Sequence, residues 1–267
     1  MFVPLRDYMP LRRIRLPIIT YGLIGLTVGV WLLAGAFASP QKVEANVLGF
    51  GMIPALLWGQ ATLAEGLTQV PPAATLLTSL FMHANLLHLA GNMLFLWVFG
   101  DNVEDAFGHI RFLGFYLVCG MAAALMHAFI MPQSQQPLIG ASGAVAGVLA
   151  AYLILHPRVY VWGLVLKWFP VRLRAIYALG FWMVFQVVMA LTASPGSEVG
   201  WWAHVGGMIA GAALTPLMRQ PGVVLFDRSL DASMGTSPAI VRMSVDFPEP
   251  DAPISATISP CAIDSSM

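Results

Sequence analysis

Six stretches of the chain, about 16–38, 81–100, 112–131, 138–155, 175–193 and 201–218, contain no Asp, Glu, Lys or Arg. Crossing a bilayer as a helix takes roughly 17–25 mostly apolar residues at about 1.5 Å each, so each stretch is predicted to span, the fourth and sixth near the short limit. The first has some look of a signal peptide, with Arg12, Arg13 and Arg15 ahead of it and Ala36-Phe37-Ala38 behind. Its apolar run is too long for a typical signal core and five more spans follow, which predicts an uncleaved first helix. The expected fold is an all-α, polytopic six-helix membrane bundle over residues 16–218, preceded by a short cytoplasmic segment, 1–15. Residues 219–267 are rich in Pro and Ser and lack periodicity, which predicts a disordered cytoplasmic tail. The segment 39–80 is long and carries Pro40, Pro54, Pro71 and Pro72 beside apolar patches such as Ile53 to Trp58, as an interfacial loop would.

Composition adds the solvent. Hydrophobic residues make up 58% of the chain and charged ones 10%, against about 25% charged in soluble proteins; this much apolar surface has to face lipid. The 13 basic and 13 acidic residues cancel, which leaves no argument for a nucleic-acid partner. Cys119 and Cys261 are too few for a disulfide framework or a cysteine metal site. The distribution of charge says more than its sum. Arg6, Arg12, Arg13, Arg15, Arg111, Arg158, Lys167, Arg172, Arg174 and Arg219 fall in one set of loops and flanks, and only Lys42 in the other. Basic loops stay inside, so both termini are predicted to be cytoplasmic.

Polar side chains within apolar spans are costly and therefore informative. The second span holds His83 at its edge and then His88 and Asn92, one turn apart on one face. The fourth opens with Gly140-Ala141-Ser142-Gly143 and the sixth with Trp201-Trp202-Ala203-His204. All three spans enter from the non-cytoplasmic side, which puts Ser142 and His204 roughly 5–7 Å deep and His88 about 10 Å deep by helix rise. These types suit acyl transfer: a serine made nucleophilic by a histidine base, with Asn92, His88 and the Ser142 amide as oxyanion donors. No span contains a carboxylate to orient the base, so a Ser–His dyad is expected. Gly143 and Gly147, and Gly207 and Gly211, repeat at the spacing that lets helix backbones approach closely. Each group has a plainer reading. Membrane serines usually bond back to a carbonyl one turn earlier. His127 reads as structural, His109 and His156 as interfacial, and Trp97, Trp182, Trp201 and Trp202 as lipid-facing or belt residues. Convergence on one leaflet lifts Ser142, His204, His88 and Asn92 above those readings.

At these residues the sequence resembles the rhomboid family of intramembrane serine proteases, in a bacterial form. The resemblance runs through His83-Ala84-Asn85-Leu86-Leu87-His88, Gly91-Asn92, the Gly100, Glu104, Gly108 run, Gly140-Ala141-Ser142-Gly143 and Ala203-His204 with Gly207 and Gly211. It implies Ser142 as nucleophile, His204 as general base and acid, and Asn92, His88 and the Ser142 amide as oxyanion donors. It implies supporting places for His83, at the rim of the site, and for Gly140. It also implies single-span membrane proteins as substrates, no metal and no other cofactor, and a bacterial cytoplasmic (inner) membrane. Two family features are absent: no Trp is followed by Arg in the first loop, where Ala74-Thr75 stand, and the position one turn after Ser142 is Ala146 rather than an aromatic. A metalloprotease would need H-E-x-x-H and an aspartyl protease two intramembrane carboxylates, and the sequence has neither. A transporter would favour inverted repeats, and none is seen between the halves. The remaining alternative is a non-catalytic, rhomboid-like protein that binds single-span clients.

Overall fold

The structure, a computed structural model, describes residues 2–165, 168–194 and 199–227. In chain order these form β1 (Phe2–Asp7), α1 (Ile18–Trp31, continued by a π-helical turn Leu32–Ala36), α2 (Pro40–Phe50), α3 (Pro54–Leu57), α4 (Thr75–Thr78), α5 (Leu86–Phe107), α6 (His109–Ile130), α7 (Ser142–Leu155), β2 (Tyr160–Val165), β3 (Phe169–Arg174), α8 (Ala175–Thr192) and α9 (Trp201–Met218). Three helical runs, Ile18–Ala36, His109–Ile130 and Ala175–Thr192, are long and apolar enough to cross a membrane. Pro72–Phe81 and Leu86–Phe107 pass together as a fourth, bent by 80° at the break between them. The 14 residues of α7 reach about 21 Å, short of the roughly 30 Å hydrocarbon core.

Two boundaries move from their sequence positions, and each has a local cause. The second span was expected from residue 81, but Asn85 stands in extended conformation and its side chain accepts the His88 amide at 2.9 Å, so α5 starts at Leu86. It also runs on to Phe107, past Asp101, Glu104 and Asp105, because those acids are satisfied inside the fold. Glu104 is fully buried and accepts the Ile19 and Thr20 amides and the Thr20 hydroxyl, at 3.0, 2.8 and 2.7 Å, which caps the open end of α1. His109 Nδ1 lies 2.5 Å from Glu104 Oε1, the oxygen that also takes the Ile19 amide. Asp105 accepts the Arg12, Arg13 and Ile14 amides at 3.1, 2.6 and 2.8 Å. Gly108, at φ +79°, then turns the chain between α5 and α6.

The expected all-α fold needs correction. β1, β2 and β3 form an antiparallel sheet in that order, with Phe2 opposite Val165, Asp7 opposite Val161 and Tyr160 opposite Arg174. Tyr160–Val165 is rich in aromatic and β-branched residues, and in Val171-Arg172-Leu173-Arg174 apolar and basic residues alternate. Strands of six residues fall below any span length, so a reading tuned to spans passes over them. The sheet is welded to the bundle: Val161 is fully buried, and Asp7 Oδ2 accepts from Tyr152 Oη on α7 at 2.7 Å and Asn102 Nδ2 on α5 at 2.8 Å. Burial pushes the Asp7 carboxyl up to about 7 against the pull of the Tyr152 bond, and nearby Asp101 adds to the rise.

The tail boundary at residue 219 also needs correction. Residues 219–227 return along the bundle, with the Gln220 amide on the Ala106 carbonyl at 2.9 Å and the Phe226 and Asp227 amides on Ile154 and Leu155 at 2.8 and 3.1 Å. Arg12 and Asp227 close that end at 3.8 Å. The disorder expected for 228–267 lies outside the described residues.

The segment 39–80 folds against α6 rather than merely connecting. Trp58 Nε1 donates to the Ala128 carbonyl at 2.8 Å, Met52 and Leu138 exchange backbone bonds, and Thr78 Oγ1 donates to the Phe50 carbonyl at 2.7 Å. At the centre stands α7, buried from Gly143 through Tyr152 and packed by α5, α6 and α9. Against it, α9 approaches backbone to backbone: a Cβ on Gly207 would overlap the Gly143 carbonyl, and one on Gly211 would overlap that of Gly147. By contrast α8 is peripheral, leaning mainly on α9 and exposing Tyr177, Phe181, Val184 and Leu191. Apolar surface of that extent belongs against lipid, as for an integral membrane protein.

Candidate active site

Ser142 is the first residue of α7 and is half-buried. The turn that delivers it is set by Gly140, at φ +120°, whose amide donates to the Ser79 carbonyl at 2.9 Å. No side chain fits there: a Cβ would stand 2.7 Å from His88 Cε1 and 2.9 Å from His88 Nε2. His204 sits one turn inside α9 and is 9% exposed. Because the glycine faces below bring α7 and α9 together, its Nε2 reaches Ser142 Oγ at 2.9 Å. A hydrogen bond at that length joins two residues 62 positions apart, on two different helices.

The other ring nitrogen is also held. His204 Nδ1 lies 2.7 Å from Oε1 of Gln186 on α8, a side chain only 3% exposed. Trp182, one turn earlier on α8, tilts over the imidazole with ring centroids 6.0 Å apart, and Trp201 meets it edge-on at 6.1 Å. The reading of Trp182 and Trp201 as lipid-facing or belt residues is therefore corrected: both wall the histidine. Trp97 is exposed on α5, as a lipid-facing residue would be.

On the opposite side of the serine, Asn92 and His83 form a buried pair, Asn92 Nδ2 to His83 Nε2 at 3.0 Å. The Ala141 amide also points at His83 Nε2, at 3.4 Å, and His83 Nδ1 faces the Phe81 carbonyl at 3.4 Å. One tautomer satisfies all three contacts, with the proton on Nδ1 and Nε2 accepting. Asn92 must then present its amide nitrogen, whose second hydrogen remains for another acceptor. His83 is thus not at a rim but buried, holding both Asn92 and the residue before Ser142. His88 lies against Gly140, its ring 5.1 Å from that of His83. Ser142, His204, His88, Asn92, His83 and Gly140 are all brought together, with Gly143, Gly147, Gly207 and Gly211 beneath them.

Gln186 was missed in the sequence although a signal existed: it is the one carboxamide in the stretch 175–193, one turn after Trp182. Chemically, the cluster pairs a hydroxyl with a basic nitrogen and sets hydrogen-bond donors beside them, the makings of acyl transfer. Among the described residues no three His, Cys, Asp or Glu side chains gather as a metal site would require.

Residues 72–221 match the Rhomboid domain family. The chain is 30% identical to the Rhomboid protease AarA of Providencia stuartii over 214 residues, 74% of this chain and 71% of that protein. It is 30% identical to RHOMBOID-like protein 6, mitochondrial, of Arabidopsis thaliana over 52% of this chain and 41% of that protein. With the Rhomboid protease GluP of Bacillus subtilis it shares 30% identity over 64% of this chain and 30% of that protein. The matched stretch is therefore less than two thirds of the last two relatives, while it covers most of AarA. The family match holds every residue of the cluster, from Ser79 to Gly211, and the chain is a member of the rhomboid family.

Proposed function

We propose that this protein is an intramembrane serine endopeptidase working through a Ser142–His204 dyad. The observation that carries the reading is the 2.9 Å contact between His204 Nε2 and Ser142 Oγ where α7 and α9 begin. In the proposed reaction His204 Nε2 takes the Ser142 proton as Oγ attacks a peptide carbonyl. The oxyanion is received by the Ser142 amide at the open start of α7, by the free hydrogen of Asn92 and by His88. Collapse passes the proton from His204 to the leaving amine and leaves an acyl-serine. Water then attacks that ester, with His204 again taking and returning one proton, which restores the serine.

The proposal includes the membrane arrangement. Six spans, α1 with its π turn, α5, α6, α7, α8 and α9, would place both termini in the cytoplasm of a bacterium, with the site under the outer face of its cytoplasmic membrane. The charge asymmetry of the loops supports this orientation. Substrates are then single-span membrane proteins, cut near the outer end of their helix. A helical segment hides its carbonyls in backbone bonds, so residues that weaken the helix, such as Gly or Pro, mark the cut.

The test is fluorophosphonate labelling of the purified full chain, together with cleavage of a single-span reporter protein. Wild type should label and cut, and Ser142→Ala should do neither. Cleavage retained by Ser142→Ala would refute the protease reading, and a folded wild type that neither labels nor cuts would favour a client-binding rhomboid.

A further inference from the structure

A neutral imidazole has one N–H and one lone pair, and only the form with its lone pair on Nε2 can take a proton from Ser142 Oγ. What faces Nδ1 therefore decides whether His204 is armed. The carboxylates of α5 lie at its far end and none bonds that nitrogen, and one buried there would carry a desolvation cost. What stands 2.7 Å from Nδ1 is the carbonyl oxygen of Gln186, which only accepts. An acceptor at Nδ1 demands an N–H there and leaves Nε2 free toward the serine, 2.9 Å away.

The same helix holds the ring in place. Trp182, one turn before Gln186, lies against the imidazole and also joins the small cluster of Ala146, Ala150 and Met208. Ala146, one turn after Ser142 and fully buried, leaves on α7 the room into which this indole packs. On its other side Trp182 meets Phe95 of α5 at 6.4 Å.

We propose that Gln186 is a positioning residue that fixes the Nδ1–H tautomer and the orientation of His204, so that this chain works with a Ser142–His204–Gln186 unit braced by Trp182. The inference rests on the reading of Ser142 and His204 as a hydrolytic pair. It makes α8, the least embedded of the helices around the site, the element that supplies the third member. An amide orients the ring without adding a buried charge. It gives up the extra stabilisation that a carboxylate would lend the imidazolium.

The test uses the full chain in detergent, with the fluorophosphonate labelling rate at Ser142 as readout and Gln186→Leu and Gln186→Glu as variants. Gln186→Leu keeps the bulk and removes the acceptor. It should lower the maximal labelling rate about tenfold to hundredfold while leaving the half-saturating probe concentration unchanged. Gln186→Glu keeps an oxygen at the same reach and should restore labelling close to wild type. Nitrogen-15 NMR of histidine-labelled protein gives a signature that packing alone would not move. His204 should hold its proton on Nδ1 in wild type and should lose that preference in Gln186→Leu. An unaltered labelling rate and tautomer in Gln186→Leu would overturn the proposal. So would a rate loss that Gln186→Glu fails to restore. If Gln186→Leu does not fold, the wild-type tautomer still decides, since a proton found on His204 Nε2 would refute the assignment. Wild type failing to label at all would instead break the hydrolase reading on which the inference rests.

Discussion

At the end of the bundle where α7 and α9 begin, Gln186, His204 and Ser142 are linked by two single contacts and Asn92 and His83 by a third, with donor capacity left over on Asn92. Where α5 finishes, Glu104 alone takes three hydrogen bonds from α1 besides its contact with His109, and Asp105 takes three more from backbone amides. A carboxylate so fully occupied has nothing left to offer a ligand and serves as a joint. Spare capacity in a buried place is costly to stability, and it is what a substrate or transition state can use. The resemblance of the Gly100, Glu104, Gly108 run to the family is thus of a different kind from that of the serine and histidine segments. One locks the helices and the other is left open for chemistry.

That contrast can be broken by asking what each group costs when removed. The largest effect belongs to His204→Ala. Peptide cleavage should fall by about 10⁴-fold or more, and the thermal unfolding midpoint should stay near that of wild type. A large drop in the midpoint would make this end structural after all. Next, Asn92→Ala should lower cleavage by about 10²–10³-fold, the usual cost of one oxyanion donor, measured on the same reporter. Glu104→Ala reverses the pattern. Two α1 amides lose their acceptor in a buried place, so unfolding in denaturant should show a loss of about 2–4 kcal/mol. Any folded fraction should cleave normally, and a specific loss of turnover would erase the distinction between the two ends.

The smallest effect sharpens the comparison through pH. Asp7 holds its proton up to about 7 in the fold against 3.8 when free. The folded state therefore binds the proton more tightly, and this residue's contribution, complete below about pH 4, is lost as pH rises through 7. Asp7→Asn keeps an oxygen for Tyr152 and Asn102 but cannot ionise. Its melting temperature should exceed that of wild type at pH 8 and match it more closely at pH 5. A variant that loses more stability at pH 8 than at pH 5 would show that the charged carboxylate is the favoured form.

The legibility of this chain followed the cost of burying polar atoms. Ser142, His204, His88 and Asn92 stood out because an uninterrupted apolar background makes any polar group expensive, and the glycine spacing beneath them marked the close approach of α7 and α9. Gln186 obeyed the same rule, yet it stands alone on α8, with no polar partner one turn away such as His88 gives Asn92. The sheet was hidden for another reason. Its strands are short, and the pairing of Phe2–Asp7 with Tyr160–Val165 depends on distant residues meeting, which no local window contains. The ordered stretch 219–227 was equally silent, since Gln220-Pro221-Gly222 looks like a tail until the Gln220 amide is seen on the end of α5 and those of Phe226 and Asp227 on the end of α7.

The pairing of the first strand also sets a schedule. β1 is synthesised roughly 160 residues ahead of β2, and at about 5–20 residues per second it waits some 8–30 s for its partner. By then α1, α5, α6 and α7 have all been made, and Asp7 can find Tyr152 and Asn102 only if α5 and α7 already stand side by side. Closure of the sheet thus comes late in synthesis, and the Asp7 bonds tie the earliest-made strand to the packing of α5 and α7.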